Sequence, residues 1–400
     1  MSTNESMEKS ESIGKSITNI PVGPLGIIAM KSSRELGELV DKHLIEYRKS
    51  IPQSCFENLS FPGYKRDSYL ISAECPRFSS GEGKAVIKES IRGYDLYILC
   101  DVGNYSCKYK MFGMENSMSP DDHFQDIKRI ISAIGGKARR VNVIMPLLYQ
   151  GRQHKRVSRE SLDCAVALRE LEHLGVENIL TFDAHDPRVQ NAIPIKGFEN
   201  IQPTYQIIKA MLAAVDDLEI CKRKMMVVSP DEGGINRNIY YANILGLDLG
   251  MFYKRRDLSR VVNGKNPIIA HEFLGDSVEG KDVLIVDDII SSGESMLDIA
   301  LELKKRKARR IFMAVTFALF TEGIEKFNEY HRKGIIDKVF STNLTYRSDA
   351  LRKASWYVEV DVSKFIALLI DTLNHDTSLS ALLDPSAKIR ELLDKHQYKV

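Results

Sequence analysis

Residues 283–297 read Val-Leu-Ile-Val-Asp-Asp-Ile-Ile-Ser-Ser-Gly-Glu-Ser-Met-Leu, and this stretch decides the fold. It opens with four aliphatic residues, three of them β-branched, which is typical of a strand buried on both faces of a parallel sheet. A turn of small residues follows, and the apolar spacing from Met296 to Leu303 predicts a helix. Strand, turn and helix in this order predict an α/β domain whose turn lies at the carboxyl edge of the sheet, where such sheets bind ligands.

The end of this strand and the turn offer two kinds of hydrogen-bonding group. Donors for a phosphate come from the N–H groups of the helix start and from Ser291, Ser292, Gly293 and Ser295. Asp287 and Asp288 offer acceptors, which suit a vicinal diol directly or through Mg²⁺. Ribose 5-phosphate carries both groups. An alternative needs no ligand, because Ser291 and Glu294 have the spacing of a capping box at an ordinary helix start.

Composition indicates a cytoplasmic globular protein of more than one domain. The chain has 400 residues, of which 44% are hydrophobic, enough for two cores. Its 56 basic and 54 acidic residues nearly balance at +2, which argues against a nucleic-acid partner held by bulk charge. The six cysteines are scattered without a C-x-x-C, as in reduced cytosolic proteins, and no stretch resembles a membrane span.

Predicted strands and helices alternate along the chain at the spacing of right-handed βαβ units. The strands are predicted at 25–30, 84–91, 96–100, 141–148, 179–182, 225–229, 249–253, 283–287 and 311–316. We therefore expect α/β architecture, with two tandem doubly wound domains built on parallel sheets. The expected ranges are a polar leader 1–24, domains 25–195 and 196–375, and a tail 376–400, with 103–120 as a loop.

The stretch 283–297 resembles the phosphoribosyl diphosphate (PRPP) motif of type I phosphoribosyltransferases and of ribose-phosphate diphosphokinases (PRPP synthetases). Those proteins have an apolar strand, two acidic residues and an Asp-Thr-Gly-Gly-Thr-like turn. Asp287, Asp288 and Gly293 match, whereas Ser291 stands for the third Asp and Glu294 for the second Gly. The resemblance implies phosphoribosyltransferase-like domains and a ribose 5-phosphate site made of Asp287, Asp288, Ser291, Ser292, Gly293, Glu294 and Ser295.

Two segments in the first half resemble the ATP-binding parts of PRPP synthetases. Arg152-Gln153-His154 is similar to the family's Arg-Gln-Asp, so Arg152 and Gln153 are implied to hold ATP. Asp183-Ala184-His185 is similar to Asp-Leu-His, which implies that His185 binds ATP and its Mg²⁺.

Three more segments follow the same family order. Ser-Pro-Asp-Glu-Gly-Gly at 229–234 implies that Asp231 is a metal or metal-water ligand. Lys254-Arg255-Arg256 resembles the start of a flexible loop over ATP, so Lys254 and Arg256 are implied to stabilise the transferring diphosphoryl group, with 257–275 as the lid. Phe-Ser-Ser-Gly-Glu at 78–82 implies that Glu82 completes the ATP site of a neighbouring subunit.

The resemblance, which extends over about 26–375, implies a ribose-phosphate diphosphokinase that uses ATP, ribose 5-phosphate and Mg²⁺. It also implies a homo-oligomer, dimer or hexamer. The segments near 48–76 and 103–120 look like additions to the family pattern. Two alternatives stay open: a phosphoribosyltransferase that consumes PRPP, and a non-catalytic homologue that binds nucleotides and regulates a partner. Departures from the family at Ser80, His154, Ser291 and Glu294 support the second alternative, whereas the retained Lys254, Arg256 and His185 count against it.

Overall fold

A computed structural model describes residues 20–51, 63–256 and 268–397, and at 254–256, 268–271 and 397 it describes the backbone alone. Up to residue 202 the elements are β1 (Leu25–Ala29), α1 (Arg34–Ser50), β2 (Ala73–Glu74), β3 (Val86–Ile87), β4 (Asp95–Leu99), β5 (Lys108–Met111), β6 (Met114–Ser117), α2 (Pro120–Ile134), β7 (Arg140–Ile144), α3 (Asp163–His173), β8 (Asn178–Phe182) and β9 (Gly197–Ile201). Short 3₁₀ helices lie at Lys31–Ser33 and Pro187–Ala192.

The second half continues the alternation of strands and helices. Its elements are α4 (Thr204–Ala214), β10 (Met225–Ser229), α5 (Ile235–Leu245), β11 (Asp248–Arg256), β12 (Ile268–Leu274), β13 (Asp282–Ile290), α6 (Glu294–Lys305), β14 (Ile311–Ala318), α7 (Glu325–Arg332), β15 (Lys338–Thr342), α8 (Asp349–Arg352), β16 (Tyr357–Val360), α9 (Ser363–Asn374), α10 (Ser380–Leu383) and α11 (Ser386–Gln397).

Two parallel sheets organise the chain, which confirms the predicted fold class. The first has the strand order β1-β4-β7-β8-β9, and all its pairs are parallel. The second has the order β12-β11-β10-β13-β14-β15-β16, and only its edge strand β12 is antiparallel. Non-consecutive neighbours such as β10 and β13 are joined by crossovers, as βαβ units require.

Strand β13 lies in the middle of the second sheet. It pairs with β10 on one side and with β14 on the other. Its residues 283–286 are buried, because the sheet neighbours cover both edges and apolar side chains cover both faces. The four-residue aliphatic run is therefore a doubly buried parallel strand, as its composition predicts.

The helices cover the sheets with their apolar faces. Helix α2 begins with a capping box between Ser119 and Asp122 and ends at Gly135, which has a positive φ of 56°. Phe124, Ile127 and Ile131 lie on its buried side and pack into the core of the first sheet. Spacing of three and four residues places such side chains on one face of a helix.

The chain forms two compact units, whose composition differs from the predicted domain ranges. Unit 1 holds the described residues up to Gln202 together with Leu344–Tyr346 and Val362–Leu383, and unit 2 holds the rest. Helix α9, expected within the domain 196–375, thus belongs to unit 1. There Arg48 of α1 donates to Asp371 at 2.6 Å and to Asn374 at 2.8 Å. The predicted leader lies outside the described residues up to residue 19.

Three local predictions need correction. The strand expected at 84–91 is reduced to β3, which pairs with β2 over two residues only. The loop expected at 103–120 contains the antiparallel hairpin β5–β6, which turns at Phe112 and Gly113. The end of the expected lid, 268–274, is the strand β12, paired antiparallel with β11, while 257–267 lies outside the described residues. None of the helices among the described residues is long and apolar enough to cross a bilayer.

Candidate active site

The two aspartates of the predicted sugar site lie within strand β13, not after it. The strand was expected to end at 287 but continues to Ile290, because β14 keeps pairing with it through Ile290↔Ala318. On the other side the ladder to β10 ends at Ile285. Asp287 and Asp288 therefore lie beyond the last pair on the β10 side, where the edge of the sheet opens.

Arg237 of helix α5 faces both aspartates. Its Nη1 lies 3.4 Å from Asp287 Oδ1 and 3.8 Å from Asp288 Oδ1. Burial, and then the neighbouring Asp288, raise the pKa of the Asp287 carboxyl well above its ordinary value. Two carboxylates and one guanidinium leave an excess of negative charge, which suits sugar hydroxyl donors or a divalent cation.

The turn after β13 does not form the capping box that was the alternative explanation for its sequence. The N-cap of α6 is Gly293, with φ 83°, and no side chain caps it. Ser292 Oγ lies only at the limit of a hydrogen bond from the Glu294 N–H, at 3.5 Å. The first-turn N–H groups of α6 are thus left without the side-chain acceptor that the alternative requires.

Glu294 turns to a cation on a neighbouring helix. Its Oε1 accepts a hydrogen bond from Lys326 Nζ of α7 at 2.6 Å, and this pairing lowers the pKa of the Glu294 carboxyl. Glu294 stands where the family has glycine. Its pairing with Lys326 offsets the negative charge that the Glu294 carboxylate would bring near a phosphate at this turn. Ser291 and Ser292 are half-buried and Ser295 is exposed, so all three hydroxyls lie at the surface of the turn.

Gly293 is required by its conformation and by its surroundings. Its φ of 83° lies in the left-handed region, and a Cβ placed there would be 2.4 Å from Cε2 of the buried Phe327. Phe327 packs against Phe320 and Trp356, so it has little room to move. The backbone of the turn therefore lies directly on the core of unit 2.

The turn after β10 carries Asp231 next to this edge of the sheet. Asp231 Oδ1 accepts from the Gly234 N–H at 3.2 Å, and Ser229 Oγ donates to the Asp231 carbonyl at 2.8 Å. Asn238, fully buried, donates to the Val286 carbonyl at 2.9 Å and thereby ties α5 to β13 just before the aspartates.

Sequence reasoning missed Arg237 and Asn238. Both follow the Gly-Gly turn at 233–234, and Arg237 lies in the first turn of α5, where the helix dipole ordinarily disfavours a cation. A basic residue at this position is the signal that could have indicated acidic groups opposite the helix start.

In unit 1 the structure brings His185 next to His154. Their ring centroids are 5.3 Å apart, and His154 Nε2 lies 3.5 Å from Asp186 Oδ2. Arg188 beside Asp186 lowers the pKa of that carboxyl to about 2. The predicted ATP residues Arg152 and Gln153 lie in the exposed loop just before His154.

Glu82 lies in an exposed, tightly bonded turn. The Phe78 N–H donates to the Glu82 carbonyl at 2.7 Å, and Ser80 Oγ donates to Glu82 Oε2 at 2.9 Å. Ser80, which replaces the family's Asp, thus donates to the carboxylate where an ionised Asp would repel it.

Lys254 and Arg256 lie at the end of β11, where the structure describes the backbone alone. The backbone pairs Lys254 with His271 and Arg256 with Ile268, with a register shift between Arg255 and Arg256.

Within the described residues no three His, Cys, Asp or Glu side chains form a cluster that could hold a metal.

Two family models match the chain. The N-terminal domain of ribose phosphate pyrophosphokinase matches residues 25–175, and the phosphoribosyl transferase domain matches residues 195–344. Among curated proteins, the ribose-phosphate pyrophosphokinase of Vibrio cholerae is 28% identical over 320 residues, covering 79% of this chain and 92% of the relative. That of Shewanella oneidensis is 28% identical over 311 residues, covering 76% and 89%.

A solved structure supports the fold. The chain is similar to phosphoribosylpyrophosphate synthetase from Mycobacterium smegmatis with a TM-score of 0.68 at 18% identity, covering 88% of this chain and 99% of that one. The two family matches lie one after the other in this chain, at residues 25–175 and 195–344. The chain belongs to the ribose-phosphate pyrophosphokinase, or PRPP synthetase, family.

Proposed function

We propose that this protein is a ribose-phosphate diphosphokinase, which transfers the β,γ-diphosphoryl group of ATP to ribose 5-phosphate. The anomeric hydroxyl of the sugar attacks the β-phosphorus of ATP, the bond from that phosphorus to the α-phosphate oxygen breaks, and AMP leaves. The hydroxyl proton goes to solvent, and the product is PRPP. The observation that carries the proposal is the Asp287–Asp288 pair, which faces Arg237 and is followed, after the turn, by a helix start without a side-chain cap.

We assign the ribose hydroxyls to Asp287 and Asp288. Carboxylate oxygens accept hydrogen bonds from a diol, and the burial of Asp288 and the half-buried position of Asp287 strengthen those bonds. We assign the 5-phosphate to the turn 291–295, whose N–H groups and hydroxyls are donors. The Glu294 carboxylate remains compatible with a phosphate because Lys326 holds it.

We assign ATP to Arg152, Gln153 and His185 and, from a neighbouring subunit, to Glu82. Lys254 and Arg256 stabilise the diphosphoryl group as charge develops on its oxygens, an effect that acts mainly in the transition state. Mg²⁺, when bound, neutralises the phosphates and orients them for in-line attack. We assign Asp231 and His185 each as a ligand of Mg²⁺, because Mg²⁺ needs only one or two protein groups beside water and phosphate oxygens.

We further propose a homo-oligomer, dimer or hexamer, in the cytoplasm. The shared ATP site requires at least two subunits. The five described cysteines form no disulfide, which fits a reducing compartment.

The two alternatives make different predictions. A phosphoribosyltransferase needs only one such domain, whereas this chain also matches the N-terminal domain of the pyrophosphokinases. A non-catalytic homologue binds the substrates without turnover. Purified protein should therefore be incubated with ATP, ribose 5-phosphate and Mg²⁺, and AMP and PRPP should be measured. Equal amounts of both products support the proposal, and their loss with EDTA supports the metal. Binding of both substrates without product would favour the regulatory homologue.

A further inference from the structure

A cavity of about 300 Å³ lies in unit 1, and none of the residues assigned above lines it. Its walls come from the loop after β1, the β2 region, the hairpin β5–β6 and helix α2. The volume is at the lower end of the range of small-molecule sites. The charged side chains that line it are Lys31, Arg34, Glu74, Arg77, Lys108 and Asp126.

The two acidic residues of the wall are already matched by cations. Asp126 accepts from both Nη atoms of Arg77, at 2.8 and 2.9 Å, and from Arg129 at 2.7 Å. Glu74 pairs with Lys88 at 3.1 Å. Neither carboxylate is therefore available to neutralise another cation.

Two of the cations have no such match. Within the described residues no carboxylate lies within ion-pair distance of Lys31 or Arg34; Lys31 Nζ instead donates to the Lys108 carbonyl at 3.0 Å. Lys108 itself pairs with Glu115 at 2.7 Å. The lining of the cavity thus includes two cations, Lys31 and Arg34, without a carboxylate partner among the described residues, and two such cations suit a dianion.

The rest of the lining is apolar or aromatic. The guanidinium of Arg77 lies 5.3 Å from the centroid of the Tyr109 ring, so the two form one stacked wall. Met30, Met118 and Ile130 add apolar surface. A ligand with a charged end and a compact apolar or planar body complements such a lining.

We propose that this cavity binds a phosphate dianion, carried by a small organic monoester or free, with Lys31 and Arg34 as its ligands. The hairpin β5–β6, which lines part of the cavity, lies in the segment 103–120, which looked like an addition to the family pattern. The site is thus formed in part by sequence that the family motifs do not include.

The same hairpin contacts the turn that carries Glu82. The Phe112 N–H donates to the Ser79 carbonyl at 2.8 Å, and a Cβ at Gly81 would lie 2.6 Å from Met111 Sδ. Ligand binding in the cavity would therefore also change the apparent affinity for ATP, and this consequence alone rests on the proposed function.

The test is a titration of protein labelled with ¹³C at the methionine methyl groups, using inorganic phosphate and phenyl phosphate as probes. Met30 and Met118 line the cavity and report on it, whereas Met296 at the start of α6 reports on the sugar site. The Met30 and Met118 signals are assigned by Met→Leu variants. We expect both signals to shift saturably, independently of any change at Met296.

Removing the two cations should weaken this binding. Lys31→Ala with Arg34→Ala should lower the affinity by about 10-fold or more, as loss of charge-assisted bonds does. The matched control is Lys42→Ala with Arg92→Ala, which removes the same charge from exposed positions outside the cavity. Tighter binding of phenyl phosphate would identify a monoester site, and tighter binding of inorganic phosphate a free-anion site. Absence of saturable shifts at Met30 and Met118, or an equal loss in the control, would overturn the proposal.

Discussion

The guanidinium of Arg237 lies 3.4 Å from the nearest oxygen of Asp287, and the same nitrogen lies 3.8 Å from Asp288. One cation on α5 thus serves two adjacent carboxylates on β13. The side chain of Arg237 is 12% exposed and that of Asp288 8%, so water screens these contacts weakly. The arrangement orients the carboxylates without neutralising both, which leaves them able to accept bonds from a substrate.

Arg237→Ala should raise the KM for ribose 5-phosphate by about 10-fold or more, because the aspartates lose their orienting partner. The KM for ATP should change little. Arg237→Lys keeps the charge but not the forked geometry, so its effect should be intermediate. Steady-state kinetics with each substrate varied in turn make the comparison. An equal rise of both KM values would indicate a general loss of structure.

Asp287→Asn should stabilise the protein at neutral pH while weakening its activity. The pKa of Asp287 is raised in the folded state by burial and by Asp288, so ionisation of this carboxyl costs folding free energy. That cost is absent at pH below about 4, the unfolded pKa; it grows as the pH rises from there to the folded pKa, and above the folded pKa it is constant. Removing the charge should add on the order of 1 kcal/mol at pH 7.5.

Urea unfolding at pH 7.5 and at pH 4 measures the effect of Asp287→Asn. The stability gain should be present at the higher pH and should vanish at the lower. Asp276→Asn, at an exposed position, is the matched control and should show no gain. A gain of the same size at both pH values would contradict the assigned electrostatic cause.

Gly293→Ala should destabilise unit 2 by about 2–4 kcal/mol, since it combines a strained φ with a clash against Phe327. Gly280→Ala has a similar φ of 71° but no atom within 4 Å of the added Cβ, so it should cost only about 1 kcal/mol. Thermal unfolding of both variants separates the two contributions. Equal losses would show that the contact with Phe327 is without energetic effect.

Glu82→Ala and Lys254→Ala should each be nearly inactive, and a mixture of the two should regain activity if subunits exchange. Some sites in mixed oligomers then receive Glu82 and Lys254 from intact partners. Lys254→Ala should lower kcat by roughly 10²-fold, with less effect on KM. Size-exclusion chromatography of tagged variants checks that exchange occurs. Mixed oligomers without recovered activity would place the ATP site within one chain.

The central strand and its ligand-binding turn could be predicted from sequence because their signals are local. Four aliphatic residues, two aspartates and a small-residue turn occupy a continuous stretch around Asp287. The end of the strand was placed three residues too early, since pairing of Ile290 with β14 depends on a distant segment. The capping box suggested by the spacing of Ser291 and Glu294 was also a local signal. It does not form, and the Glu294 carboxylate instead accepts a hydrogen bond from Lys326.

Other features depend on long-range packing and could not be predicted. Helix α9 joins unit 1 because Asp371 and Asn374 meet the buried Arg48, more than 300 positions earlier in the chain. Arg237 carries no motif of its own and acquires its role only when α5 packs beside β13. The hairpin β5–β6 was expected as a loop because the segment 103–120 is rich in Gly, Met and Ser, and the alternation Lys-Tyr-Lys-Met of β5 covers only four residues.

The central claim is that a diphosphoryl group, and not a single phosphoryl group, moves from ATP to ribose 5-phosphate. The most direct measurement uses ATP labelled with ³²P at the β-phosphorus, together with ribose 5-phosphate and Mg²⁺, and separates the nucleotide and sugar products. Our account predicts that the label appears in PRPP, that AMP is unlabelled, and that Asp288→Asn lowers the yield at subsaturating sugar. Label retained in ADP, or in unreacted ATP under conditions where both substrates bind, would contradict it.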